Sequence, residues 1–180
     1  YMADDDIPDY KLIANNSSRD DKHEDIPFSA GLTFHEFLSD QVGLLQLTNH
    51  ERSLMDYIIG NIDEEGYLRR SPESMVDDIV FQAGVETTDE EMKRLVREVQ
   101  QFDPAGVGAI NLQECLILQL ERREQTPDVI NAQKIITNFF EEFSKKHYDR
   151  IIRSMAITEV ELKEALNQIV KLNPKPGNAW

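Results

Sequence analysis

Residues 102–120 read FDPAGVGAINLQECLILQL, and this stretch decides the fold because it joins a constrained turn to the most apolar helix of the chain. Pro104 fixes its own φ and pushes Asp103 out of the α region, so a helix arriving over Lys93–Gln101 must stop near Phe102. Gly106 and Gly108 then permit backbone angles closed to other residues. Asn111, with Glu114 three places on, reads as an N-cap with a capping box that opens a helix at Leu112. At about 100° per residue, Leu112, Cys115, Leu116 and Leu120 share one face while Ile117 and Leu118 point elsewhere. Only a narrow polar strip near Glu114 and Glu121 is left, so this helix is expected at the centre of its domain. On residue physics alone the stretch is an interhelical turn followed by a buried helix.

The same punctuation recurs on both sides. Thr33 caps a helix expected to run to about Leu45, with Phe34, Phe37, Leu38, Val42 and Leu45 at helical spacing. Thr48 with Glu51 is a capping box for a second, whose apolar face holds Leu54, Met55, Ile58 and Ile59. Ser71-Pro72 puts proline at the first position of a third, carrying Met75, Val76, Ile79 and Val80. Thr88 with Glu91 opens a fourth, with Met92, Leu95, Val96, Val99 and Phe102 inward. Beyond Leu120, Thr126-Pro127 starts a long helix over Val129, Ile130, Ile135, Ile136, Phe139, Phe140 and Phe143. Lys145, Lys146, His147, Arg150 and Arg153 gather in a shorter one whose apolar side is Tyr148, Ile151 and Ile152. Thr158 with Glu161 opens the last, with Val160, Leu162, Leu166, Ile169 and Val170 inside. The fold class is therefore all-α, in two small helical-bundle subdomains at 32–124 and 125–173.

Residues 1–31 differ. Over Tyr1–Pro27, Asp4, Asp5, Asp6, Asp9, Asp20, Asp21, Glu24 and Asp25 stand against only Lys11, Arg19 and Lys22, so the segment is expected to be a disordered or partner-ordered acidic linker. Its functional alternative is an arm that mimics nucleic acid in a basic channel. The start at Tyr1 suggests a piece of a longer protein. The net charge of −15 over 180 residues argues against unaided binding of a phosphate backbone and suits a basic protein surface. One cysteine excludes an internal disulfide framework and fits a reducing cytoplasm. No run approaches the roughly 18 apolar residues of a membrane span, and no signal peptide opens the chain.

Catalytic and metal chemistry find little support. His23, His35, His50 and His147 are scattered, and none lies near Cys115 in a zinc spacing. Cys115 on an apolar helix face reads as a core thiol rather than a nucleophile. Asn61–Leu68 fits several places of a calcium loop, but its twelfth place is Pro72 where a bidentate glutamate is required. A turn is the plain reading there, and Gly106-Val107-Gly108 lacks the lysine and spacing of a phosphate loop. No enzyme and no cofactor are expected.

Three separated motifs carry a resemblance. Phe102-Asp103-Pro104-x-Gly106-Val107-Gly108-Ala109 with Leu112-x-Glu114-Cys115-Leu116-x-x-Gln119-Leu120, the phrase I-D-E-x-G-Y-L at Ile62–Leu68, and L-N-P-K-P-G at Leu172–Gly177 together resemble the core-binding region of the sigma-54 family of bacterial transcription factors. One departure is Ile110, where the family commonly has arginine. The resemblance implies a domain that tethers a sigma factor to core RNA polymerase, through its beta and beta-prime subunits. Promoter DNA and the ATP-hydrolysing activator are met in relatives by regions that do not appear in these residues. The free-standing alternative is a helical adaptor or regulator that does not bind polymerase.

Candidate contact residues follow from unusual backbone. Asp103, Pro104, Gly106, Val107 and Gly108 form one set, and Pro174, Lys175, Pro176 and Gly177 the other. The second set lies in an extended, stiff tail, 174–180, expected to lead on to a DNA-binding domain, with Lys175 exposed. Lys145, Lys146, Arg150 and Arg153 form the basic patch, a solvated face by default and otherwise a contact for nucleic acid or an acidic partner.

Overall fold

The computed structural model describes residues 31–178 and 180, so the expectation for the acidic linker lies outside the described residues. Among the described residues the chain is all-α, with nine α-helices and no strand. They are α1 (Phe34–Val42), α2 (Asn49–Gly60), α3 (Pro72–Ala83), α4 (Asp89–Val99), α5 (Leu112–Glu121), α6 (Pro127–Asn138), α7 (Phe140–Ser144), α8 (Tyr148–Met155) and α9 (Glu159–Val170), followed by a 3-10 turn at Pro176–Asn178. The starts are where the sequence puts them. Thr33, Thr48, Ser71, Thr88, Asn111, Thr126 and Thr158 each accept a backbone N–H in the first turn of their helix. Asn111 takes the amide of Glu114, but the Glu114 carboxylate reaches the N–H of Ile110 rather than that of the cap, so the expected box is open.

The described chain divides into two compact units. The first comprises Thr33–Arg122 together with Asn173–Trp180. Its core joins Leu38 and Val42 of α1, Leu54, Met55 and Ile58 of α2, Met75 and Ile79 of α3 and Met92, Leu95 and Val99 of α4, with Ile62, Leu68 and Val107 from the loops. The expectation that α5 is the central helix is corrected: the main cluster is built by α1–α4, and α5 places Cys115 in a smaller one with Tyr67 and Ala109. Leu116 and Leu120 are buried, but Ile117 and Leu118 are only half-buried, which is why an apolar composition overstates its depth. Helix α1 stops three residues early because the chain turns at Gly43, and Leu45 still packs on the core from the loop.

The second unit is Arg123–Leu172. Helices α6 and α9 pack along each other, burying Val129, Ala132, Ile135 and Ile136 on one and Leu162, Ala165 and Ile169 on the other. The single long helix expected here is broken at Phe139, where φ −131° and ψ 32° leave the helical region before α7 begins. No proline or glycine marks the break, so the apolar periodicity reads straight through it. Lys145, Lys146 and His147 precede α8 instead of lying in it, with Lys146 at φ 62°. Val160, expected inside, occupies the exposed first turn of α9.

Candidate functional site

The three motifs meet. The loop Ile62–Leu68, the loop Asp103–Ala109 and the tail Asn173–Trp180 form one junction within the first unit, stitched by backbone hydrogen bonds that side chains reinforce. Asp63 organises the first loop: its Oδ1 accepts the N–H groups of Glu65 and Tyr67, both at 2.9 Å, and its Oδ2 takes the Arg69 guanidinium. The residue that suited a calcium ligand is thus committed to the turn itself, an Asx arrangement. Leu68 N–H then donates to the Ala109 carbonyl at 2.8 Å and Gly108 N–H to the Gly66 carbonyl at 2.9 Å, which stitches the first loop to the second. Gly177 N–H donates to the Glu65 carbonyl at 2.9 Å, which adds the tail.

The second loop needs its glycines. Gly106 sits at φ 95°, and a Cβ there would come within 2.8 Å of Gln119 Nε2 and 2.9 Å of Cys115 Sγ. The Asp103–Pro104 peptide is cis. Three glutamine side chains fasten the backbone. Gln41 donates to the Asp103 carbonyl and accepts the Asp103 N–H, each at 2.8 Å. Gln100, buried, donates to the Gly108 carbonyl at 3.1 Å. Gln119, also buried, donates to the Asn173 carbonyl at 2.6 Å and accepts its N–H at 2.8 Å. Arg122 closes the end of α4 by donating to the Gln100 and Phe102 carbonyls, and its other nitrogen lies 3.2 Å from Asp103. Sequence reading missed Gln41, Gln100 and Arg122, and it quoted Tyr67 and Gln119 within the motifs without assigning them a contact. The signal for the glutamines was a polar residue in or at the end of a helix close to a Gly or Pro turn.

The tail is not the extended lead-out expected from its prolines. Asn173 Oδ1 accepts the Lys175 N–H, and Pro176–Asn178 then turn in a 3-10 helix with Pro176 and Gly177 buried. Tyr67 donates its hydroxyl to the Pro174 carbonyl at 2.5 Å. Lys175, expected exposed, is half-buried with its ammonium 3.4 Å from Glu65, so a charge reversal there would disturb the fold as well as any contact. Trp180 stacks on Phe37 with ring centroids 5.0 Å apart. Of the candidate residues, Asp103 is exposed and Pro104, Pro174 and Lys175 are half-buried, whereas Gly106, Val107, Gly108, Pro176 and Gly177 are buried within this unit. The buried five position the loops; they do not present a surface. The basic patch belongs to the second unit, where Lys145, Arg150 and Arg153 are exposed and Lys146 is half-buried.

Burial pushes the Tyr67 hydroxyl well above its ordinary range, with the neighbouring Cys115 adding to the rise, and burial likewise raises the Cys115 thiol. Raised folded values mean that the neutral forms stabilise the fold. That stabilisation is full below the unfolded thiol value of about 8.5 and is lost as pH climbs above it. Urea unfolding between pH 7.5 and 10.5 is therefore expected to show falling stability, with the slope reduced in a Cys115→Ala, Tyr67→Phe double variant. Among the described residues no three His, Cys, Asp or Glu side chains gather as a metal site, and Cys115 is buried beside the amide of Gln119.

Residues 27–180 match the family model described as sigma-54 factor, core binding domain. The RNA polymerase sigma-54 factor of Pseudomonas aeruginosa (strain UCBPP-PA14) is 33% identical over 151 residues, covering 83% of this chain and 30% of that protein. That of Acidithiobacillus ferridurans is 32% identical over 177 residues, covering 97% of this chain and 33% of that protein. That of Escherichia coli (strain K12) is 32% identical over 149 residues, covering 82% and 30%. The chain thus spans about a third of the length of the curated relatives it matches. With a match that takes in the junction, both units and all three motifs, the chain belongs to the sigma-54 factor family, in its core binding domain.

Proposed function

We propose that this chain holds core RNA polymerase for a sigma-54-type initiation factor, with the helical units near 32–124 and 125–173 as its binding body. The observation that carries the reading is the family match over residues 27–180. The beta and beta-prime subunits are the partners. The part is non-catalytic, uses no cofactor, and works in the cytoplasm beside polymerase. Promoter recognition and the response to an ATP-dependent activator belong to other regions of the full-length factor. The motif residues Asp103–Gly108 and Pro174–Gly177 contribute by holding the loops in one conformation, since a preorganised surface loses less entropy on docking. The free-standing adaptor is not favoured by a match of this extent.

The net charge of −15 supports a basic partner surface and salt-sensitive association. The test is equilibrium binding of the chain to core polymerase, beside a DNA-binding assay at the same salt. Binding to polymerase that weakens with salt, with no affinity for free DNA, is expected. Failure to bind polymerase would remove the proposal.

A further inference from the structure

We infer that Val80 and Phe81, at the end of α3, are the apolar anchor of a docking surface that takes an apolar segment of core polymerase flanked by lysine or arginine. This rests on the polymerase-binding reading above and assigns it a place on the chain. Phe81 is 88% exposed and its neighbour Val80, expected from helical spacing to face the core, is 40% exposed. A lone exposed apolar residue needs no explanation, but here a nearly bare aromatic, of the class enriched at protein interfaces, has a second exposed apolar residue beside it.

The support beneath them is rigid. Met75 and Ile79 are buried on the inner face of α3, and Phe81, two residues after Ile79, points about 200° away from it. Ser71 and Pro72 fix the start of the helix, and Gly84, left-handed at φ 66°, fixes its end. The helical backbone that carries the ring has little freedom left to lose when it docks, so the cost of ordering is confined to the side chain.

Electrostatics select the occupant. Helix α3 has no lysine or arginine of its own, so the negative end of its dipole lies beside Phe81, and Arg70, which reaches this end from outside the helix, is already paired with Asp78. Glu73 is tied to Lys93 and Asp78 to Arg70, but Asp77, one turn before Phe81 on the same stripe, is exposed and pairs with no cation among the described residues. A polar cleft of about 320 Å³ begins at Gln82, the next residue, with Arg70 and Asp56 in its lining. The surface is thus an apolar knob with an acidic margin. It complements an apolar contact edged with cations and repels an acidic one.

The test is a titration of core polymerase with the full 180-residue chain and its Phe81→Ala and Asp77→Lys variants, at low and high salt. Phe81→Ala is expected to weaken binding by about 10- to 30-fold, as for a hot-spot aromatic. Asp77→Lys is expected to slow association and flatten its salt dependence. Both positions are exposed, so the unfolding midpoint should not move. If the parent chain binds polymerase and Phe81→Ala binds within about twofold of it, the inference is overturned and the polymerase-binding reading stands. If the parent chain does not bind, that reading falls and takes this one with it. Loss of self-association in Phe81→Ala, seen by sedimentation with polymerase binding intact, would assign the surface to a second copy of the chain and also overturn the inference.

Discussion

A Gly177→Ala variant is expected to lose about 3 kcal/mol of stability, the upper end of what added volume costs in a packed site. A Cβ at that position would stand 2.0 Å from the Glu64 carbonyl oxygen and 2.8 Å from the carbonyl carbons of Glu64 and Glu65. All three are backbone atoms of a loop already pinned by Asp63, so no side-chain rotation relieves the clash. The tail must lift, which breaks the Gly177–Glu65 hydrogen bond and draws Pro174 away from Tyr67. Urea unfolding gives the energy, and the chain's one tryptophan reports the geometry. Trp180 lies on Phe37, so its emission should shift to the red when the tail leaves. Unchanged emission with a stability loss under about 0.5 kcal/mol, the scatter of ordinary surface changes, would mean that the tail does not seat here.

Leu54→Ala is expected to cost about 4 kcal/mol, within the range for a leucine removed from a closely packed core. Leu54 has no exposed surface, and it lies among Leu38, Ile58 and Leu95 in the cluster that α1–α4 build. The matched control is Leu44→Ala, ten residues earlier and 84% exposed, for which a change within about 0.5 kcal/mol is expected. Equal effects at the two positions, measured by urea unfolding, would contradict a core placed in α1–α4.

What the sequence discloses and what it withholds divide along the range of the interaction. Helix starts are decided within four residues: a Thr, Ser or Asn and the amide it receives are neighbours in the chain, so all seven capped starts were legible. The junction depends on partners far apart. Tyr67 and Pro174 are separated by 107 residues and Gln119 and Asn173 by 54, so the prolines of the tail, read locally, gave an extended strand of chain where a docked turn exists. The three motifs could be quoted from the sequence, but nothing in their order along the chain says that they touch. The role of Gln41 was hidden for the same reason, and Gln119, though quoted within a motif, gave no sign that it reaches Asn173, because an amide that reads a distant backbone looks like any polar helical residue. The composition of α5 misled in another way: apolar content measures how much can be buried, not which neighbours do the burying.

The central claim is that the three motifs are one cooperative junction, and amide hydrogen exchange in the whole chain tests it most directly. The amides of Leu68, Gly108 and Gly177 each close one stitch, to Ala109, Gly66 and Glu65 respectively. All three should exchange slowly, with protection close to that of the buried helical amides of α2 and α4, because opening any stitch requires the others to give way. Exchange of Gly177 at the rate of an unprotected amide, while Leu68 and Gly108 stay protected, would show that the tail is not part of the junction and would contradict the account.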